Sequence, residues 1–240
     1  MAVLILLRHG QAALGKENYD ALSPLGIEQA MLAGRRLAGS ATVIDHVYSG
    51  ALVRQRDTAA AVMQELALPV SDLRIDDRLD EYDHIGVLRA QTSAVKFETA
   101  TTAEQGRELQ TALDKALARW AAGDDVPDVE RHAGFLQRVL AVTAELAALP
   151  GTTLAATSGG VIGVAAALHL GLPVDQWPQL ARVSVNAAVT KLITGRSGTT
   201  LVTFNDHAHL EADRGLITYR CACRPHRAGS VRTTSSAPRG

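Results

Sequence analysis

The chain has 240 residues, 24 Lys and Arg against 25 Asp and Glu, a formal net charge of −1, and 47% hydrophobic residues. A balance this even excludes a protein that holds nucleic acid by bulk positive charge, and no apolar run reaches the eighteen or so residues of a membrane span. The length suits one α/β domain with a sizeable core.

In chain order, residues 3–7 read as a buried strand. Leu4, Ile5, Leu6 and Leu7 are consecutive and apolar, and the run stops at Arg8, His9 and Gly10. Such a strand delivers a guanidinium and an imidazole at its carboxyl end, and Gly10 is expected to turn the backbone at positive φ. The apolar start has neither the basic leader nor the length of a secretory signal, so a cytoplasmic location is expected. Residues 11–22 form a polar loop. Ser23, with Pro24 at the first helical position, starts a helix whose apolar face is Ile27, Ala30, Met31, Gly34 and Leu37. A second strand ends at 46–49, a helix runs over 56–66 and stops before Pro69, and a short strand at 73–75 leads toward Glu81.

Residues 85–130 differ in character. Helical spacing of Leu109, Ala112, Leu113, Ala116, Leu117 and Trp120 predicts a helix over 102–122, flanked by threonine-rich polar segments. After a loop at 123–128 come a long helix at 133–149, a strand at 152–157 and a small-residue helix at 159–170. Closing strands are expected at 183–193 and 199–204. This alternation predicts a three-layer αβα sandwich with a mostly parallel central sheet. The domain is assigned to residues 1–220. The last residues are rich in Arg, Ser, Thr and Pro and carry no acid, so 221–240 are expected to be a disordered tail. Cys221 and Cys223 have no histidine partners at finger spacing, and no metal or cofactor is expected.

A neutral imidazole is a nucleophile, and a guanidinium presents paired donors to phosphate. Further pieces follow the Arg8-His9-Gly10 strand end in order. They are Leu22-Ser23-Pro24-Leu25-Gly26 with Gln29-Ala30, the segment from Tyr48-Ser49 through Arg54 to Thr58-Ala59, Leu79-Asp80-Glu81, Thr157-Ser158-Gly159-Gly160, and Asn205-Asp206-His207. In these motifs, spread over about residues 3–220, the chain resembles the histidine phosphatase (phosphoglycerate mutase-like) superfamily. The resemblance implies that His9 attacks phosphorus while a backbone carbonyl holds the proton on its other nitrogen. Arg8 and Arg54 then clamp the equatorial oxygens, and Glu81 protonates the leaving group and afterwards assists water. Gln11 and Ser23 line the phosphate loop, and the 85–130 insertion forms a helical lid. The implied partner is a small-molecule phosphate ester or the phosphate anion, with no nucleic acid and no membrane.

One motif departs from the pattern. The family's second catalytic histidine is replaced by Ser158, so the pocket has one cation fewer, a loss of the kind that costs on the order of 10²–10³ in rate; Ser158 keeps a hydroxyl donor and is expected to line the substrate site, where its hydroxyl or a water could recover part of that loss. His207 or His209 could compensate. The residues also admit other assignments. His9 can be a hydrogen-bonded core histidine, Arg54 or Arg56 can pair with Asp57 or Asp45, and Glu81 competes with Asp80 and Asp83. Three other functions are therefore carried forward. One is a phosphate-binding pseudoenzyme. Another is a serine esterase using Ser158 with Asp206 and His209. The last is a mutase-type phosphotransferase, disfavoured because the segment after Glu81 is not basic.

Overall fold

A computed structural model describes residues 1–13, 20–90, 103–124 and 126–219. Strands β1 (Ala2–Arg8), β2 (His46–Ser49), β3 (Leu73–Ile75), β4 (Gly151–Thr157), β5 (Val189–Gly195) and β6 (Gly198–Asp206) form one sheet in the order β3-β2-β4-β1-β5-β6. β1, β2, β3 and β4 run parallel, whereas β5 is antiparallel to β1 and β6 to β5. The register sets Arg8 beside Thr157 and Ser49 beside Ala156. The carboxyl ends of β1, β2 and β4 therefore finish level, which is where open α/β sheets bind ligands.

The apolar run of β1 follows from burial on both faces. Leu4 and Leu6 enter one core cluster and Ile5 and Leu7 the other, since alternate side chains of a strand point to opposite sides. Helices α1 (Pro24–Ala38) and α2 (Val53–Glu65) cover the Ile5 and Leu7 side. On the other side lie α4 (Ala103–Ala121), α5 (His132–Ala148) and α6 (Gly159–His169), with the short α3 (His84–Arg89) and α7 (Trp177–Val183) beside them. The expected αβα sandwich is the observed architecture.

Several boundaries differ from expectation. Helix α2 begins at Val53, which puts Arg54 in its first turn. Strand β5 begins at Val189; residues 177–183 are helical, and 184–188 cross back to the sheet irregularly. On α1, Ile27 is 46% exposed, while Gln29 is fully buried. The Gln29 amide repays its burial by accepting from Gln11 N and donating to Leu216 O and Thr218 Oγ1. Gly10 does not have positive φ. A Cβ there would stand 2.2 Å from Gly26 O, and one on Gly26 would stand 2.2 Å from Gln11 O. Close backbone approach, not a left-handed turn, requires both glycines.

Within the expected insertion, α4 sends Leu109, Leu113, Ala116, Leu117 and Trp120 into the main core. There Trp120 stacks on Tyr82 at 5.4 Å and Phe135 meets Trp177 at 5.3 Å. Residues 91–102 of the expected insertion, together with the tail and both cysteines, lie outside the described residues.

Candidate active site

Arg8 ends β1 and His9 follows directly, and both are buried. His9 is tied into the backbone on two sides: its N–H donates to Thr157 O, and its carbonyl accepts from Asn186 Nδ2 and Ala187 N. The ring lies between Gly10 O, 2.7 Å from Nδ1, and Arg54 Nε, 3.3 Å from Nε2. These neighbours set its protonation. A carbonyl only accepts, so Nδ1 carries the hydrogen; a guanidinium only donates, so Nε2 keeps its lone pair. These bonds suit a neutral imidazole, with the lone pair of Nε2 turned toward a cation.

Arg54 reaches the site from the first turn of α2 and is also buried. Its Nη1 donates to Asp20 Oδ1, and Asp20 Oδ2 accepts the Val53 N–H at the start of the same helix. Neither Asp57 nor Asp45 is its partner. Asp45 accepts Thr152 N, and Asp57 has a raised pKa owing to burial, which neighbouring Arg56 partly opposes. Arg8 Nη1 donates to Ser184 O, on a loop held by Asn205, whose side chain bonds Val183 O and Val185 N. One guanidinium, that of Arg54, therefore stands against the imidazole, while that of Arg8 is held at the Ser184 carbonyl.

The structure also separates the three acids at 80–83. Asp80 accepts the N–H groups of Ala51 and Leu52, and burial raises its pKa against those bonds. Asp83 accepts Gly86 N as the N-cap of α3. Glu81 instead receives Gly160 N on both carboxylate oxygens, at 3.1 and 3.2 Å. A Cβ on Gly160 would fall 2.1 Å from Glu81 Oε1, so this contact demands glycine. The same motif sets Gly159 against Arg8, whose Nε lies 3.6 Å from the position of a Cβ there.

Ser23 caps α1 by accepting Gly26 N and donates to Gln11 Oε1, so both expected loop residues have bonds within the loop. Ser158 is fully buried at the N-cap of α6, and its hydroxyl accepts from Gln55 Nε2 at 2.9 Å. It forms no hydrogen bond to an imidazole among the described residues, and Asp206 forms a two-point ion pair with Arg36. The proposed Ser–Asp–His arrangement is not assembled. His207 Nδ1 donates to Asn205 O, and the His209 ring lies near Arg36 and the Ala187 backbone. Asp20 and Gln55 were not legible from the sequence. The first stands in an aperiodic polar loop, and the second differs in no local way from a solvated helix residue.

No helix among the described residues is long and apolar enough to cross a membrane, and no group of three or more His, Cys, Asp or Glu there could hold a metal.

The family model for the histidine phosphatase superfamily (branch 1) matches residues 4–207. A glucosyl-3-phosphoglycerate phosphatase of Mycolicibacterium vanbaalenii is 33% identical over 189 residues, covering 74% of this chain and 78% of its own. A 2,3-bisphosphoglycerate-dependent phosphoglycerate mutase of Methylobacterium is 34% identical over 88 residues, covering 34% of this chain and 42% of its own. Among solved structures, a mycobacterial glucosyl-3-phosphoglycerate phosphatase superposes with TM-score 0.60 at 24% identity, covering 85% of this chain and 98% of the other. YhfR of Bacillus stearothermophilus reaches 0.63 at 22%, covering 87% and 99%. At these identities the superpositions speak for the fold.

Proposed function

Because the chain belongs to the histidine phosphatase superfamily, we propose that it hydrolyses phosphate monoesters through a phosphohistidine on His9. The observation that carries this is the neutral imidazole between Gly10 O and Arg54 Nε. A phosphate ester resists attack because its oxygens repel a nucleophile and its alkoxide leaves poorly, so a site must neutralise, align and protonate.

The phosphoryl group enters between Arg54 and Arg8, which take the equatorial oxygens as paired donors. His9 Nε2 gives its lone pair to phosphorus, and the P–O bond to the leaving group breaks. The positive charge this places on the ring is met by Gly10 O at Nδ1–H. Glu81, protonated for this step, gives its proton to the departing oxygen and becomes a carboxylate. It then takes a proton from the water that attacks phosphorus; the P–N bond breaks, and phosphate leaves with His9 neutral again. Gln11 Nε2, which has no bond among the described residues because the Gln11–Ser23 bond uses only Oε1, binds a phosphoryl oxygen. The segment around α4 acts as the lid that sets substrate choice, and the protein works in the cytoplasm. A phosphorylated sugar acid is the first substrate class to try, since a phosphatase with that name covers three-quarters of the chain at 33% identity.

The test is a rapid acid-free quench with radiolabelled aryl phosphate. Label should appear on the protein, be lost in acid, and be absent from His9→Ala, whose turnover should fall at least about 10³-fold. Turnover that persists in His9→Ala, or label on serine, would overturn the proposal. A second outcome has its own support in the missing histidine at 158: tight vanadate binding with no turnover of any ester would make the protein a phosphate-binding relative without catalysis.

A further inference from the structure

The mechanism above gives no work to Gln55, a fully buried amide one residue beyond Arg54. Its nitrogen donates to two acceptors, Leu79 O at 3.1 Å and Ser158 Oγ at 2.9 Å, and its Oε1 is buried with no hydrogen-bond partner among the described residues. The orientation is dictated by Leu79. A carbonyl cannot donate, so turning the amide over would set oxygen against oxygen. The Leu79 carbonyl is also held by Thr157 Oγ1 at 2.6 Å, which leaves it no freedom to move away. Room for the amide comes from Gly50, where a Cβ would lie 2.0 Å from Oε1.

This has a consequence for Ser158. With Gln55 donating to it, the hydroxyl accepts there and must send its own proton elsewhere. The first turn of α6 offers that proton no acceptor, because the free backbone groups at a helix N-terminus are N–H donors. A hydroxyl that accepts a hydrogen bond is also a stronger donor. Its neighbours on the chain all belong to the pocket. Thr157 O receives His9 N, Gly159 lies against Arg8, and Gly160 holds Glu81.

From this geometry we infer that Gln55 is a positioning residue that fixes the Ser158 hydroxyl as a neutral donor to a phosphoryl oxygen, an inference that rests on the phosphatase reading above. The pair replaces a titrating cation by a donor whose charge is constant across the working pH range. Ser158 touches the substrate; Gln55 acts only through it.

The experiment measures kcat and KM for an aryl phosphate, and vanadate affinity by calorimetry, in wild type, Ser158→Ala, Gln55→Met and the double variant. Ser158→Ala should lower kcat about 10²-fold with KM changed by less than about threefold, because the donor acts mainly on transition-state charge. Gln55→Met should move kcat the same way by about tenfold, and the double variant should be no slower than Ser158→Ala. Each single variant should weaken vanadate by at least about tenfold. Should Gln55→Met fail to fold, Gln55→Glu keeps the size, and its carboxylate cannot donate to Leu79; it should show the same loss. Losses that multiply in the double variant, or a Ser158→Ala enzyme with kcat within about threefold of wild type, would overturn the inference while leaving the phosphohistidine mechanism standing if His9→Ala is dead. Without wild-type turnover the vanadate arm decides. Weakening by both substitutions keeps the donor pair and sinks the phosphatase reading, and no vanadate binding by wild type sinks both.

Discussion

Ser158→His brings back the imidazole expected after β4, but into a space already filled. Ser158 and Gln55 are both 0% exposed and in hydrogen-bond contact. An imidazole adds about as many heavy atoms as truncating Gln55 to alanine removes. Alone, the substitution overpacks the strand end, which costs about 1–3 kcal/mol. At roughly 2–4 °C per kcal/mol for a domain of this size, Tm should fall by about 2–12 °C. Combined with Gln55→Ala the ring has room, and Leu79 O keeps its bond from Thr157 Oγ1. The double variant should melt within about 3 °C of wild type and turn over an aryl phosphate about tenfold faster, the margin of a charged over a neutral donor. The assays are differential scanning calorimetry and steady-state kinetics on the four proteins of the cycle. A Ser158→His enzyme that melts with wild type and matches the double variant in rate would show that Gln55 does not fill that space, and the reasoning would fail.

Three other outcomes follow from single contacts. Asp20→Asn leaves the buried Arg54 guanidinium with a neutral partner; with Asp20 about 29% exposed, the loss should be about 1–3 kcal/mol, below that of a fully buried pair. Inorganic phosphate should then raise Tm more in the variant than in wild type, because the anion restores the missing charge; an equal rise would contradict this. Gly160→Ala drives a methyl into Glu81 Oε1 and should cut kcat by about tenfold or more with little change in KM; an unchanged kcat would remove Glu81 from the mechanism. Burial, with Arg36 adding to it, pushes the His209 pKa down to about 4 from 6.5. The folded state favours the neutral ring, so this stability is fully present above pH 6.5 and is lost as pH falls toward 4. Between pH 7 and 4.5 the Tm of wild type should drop further than that of His209→Gln, and parallel drops would refute the assignment.

Some of the site was legible because its causes are local. Four apolar residues ending in Arg8-His9-Gly10 can only be a buried strand with a polar terminus. Ser23-Pro24 caps a helix whatever lies around it, and the period of α4 declares its buried face. Local pattern misjudged α1, because Gln29 is buried by three bonds to residues 11, 216 and 218 and Ile27 is displaced outward. Gly10 is expected to turn at positive φ and does not; the obstacle to a side chain there is the backbone of Gly26.

By itself, then, the sequence determined the αβα layering and the presence of imidazole, guanidinium and carboxylate at the ends of its elements. Tertiary structure alone decided which acid meets Gly160, that Asp20 rather than Asp57 or Asp45 answers Arg54, and that Gln55 stands over Ser158. Those choices join residues as far apart as 34 and 103 positions. They depend on the register that brings the ends of β1, β2 and β4 level, and strand register between distant segments leaves no periodic trace in either segment alone.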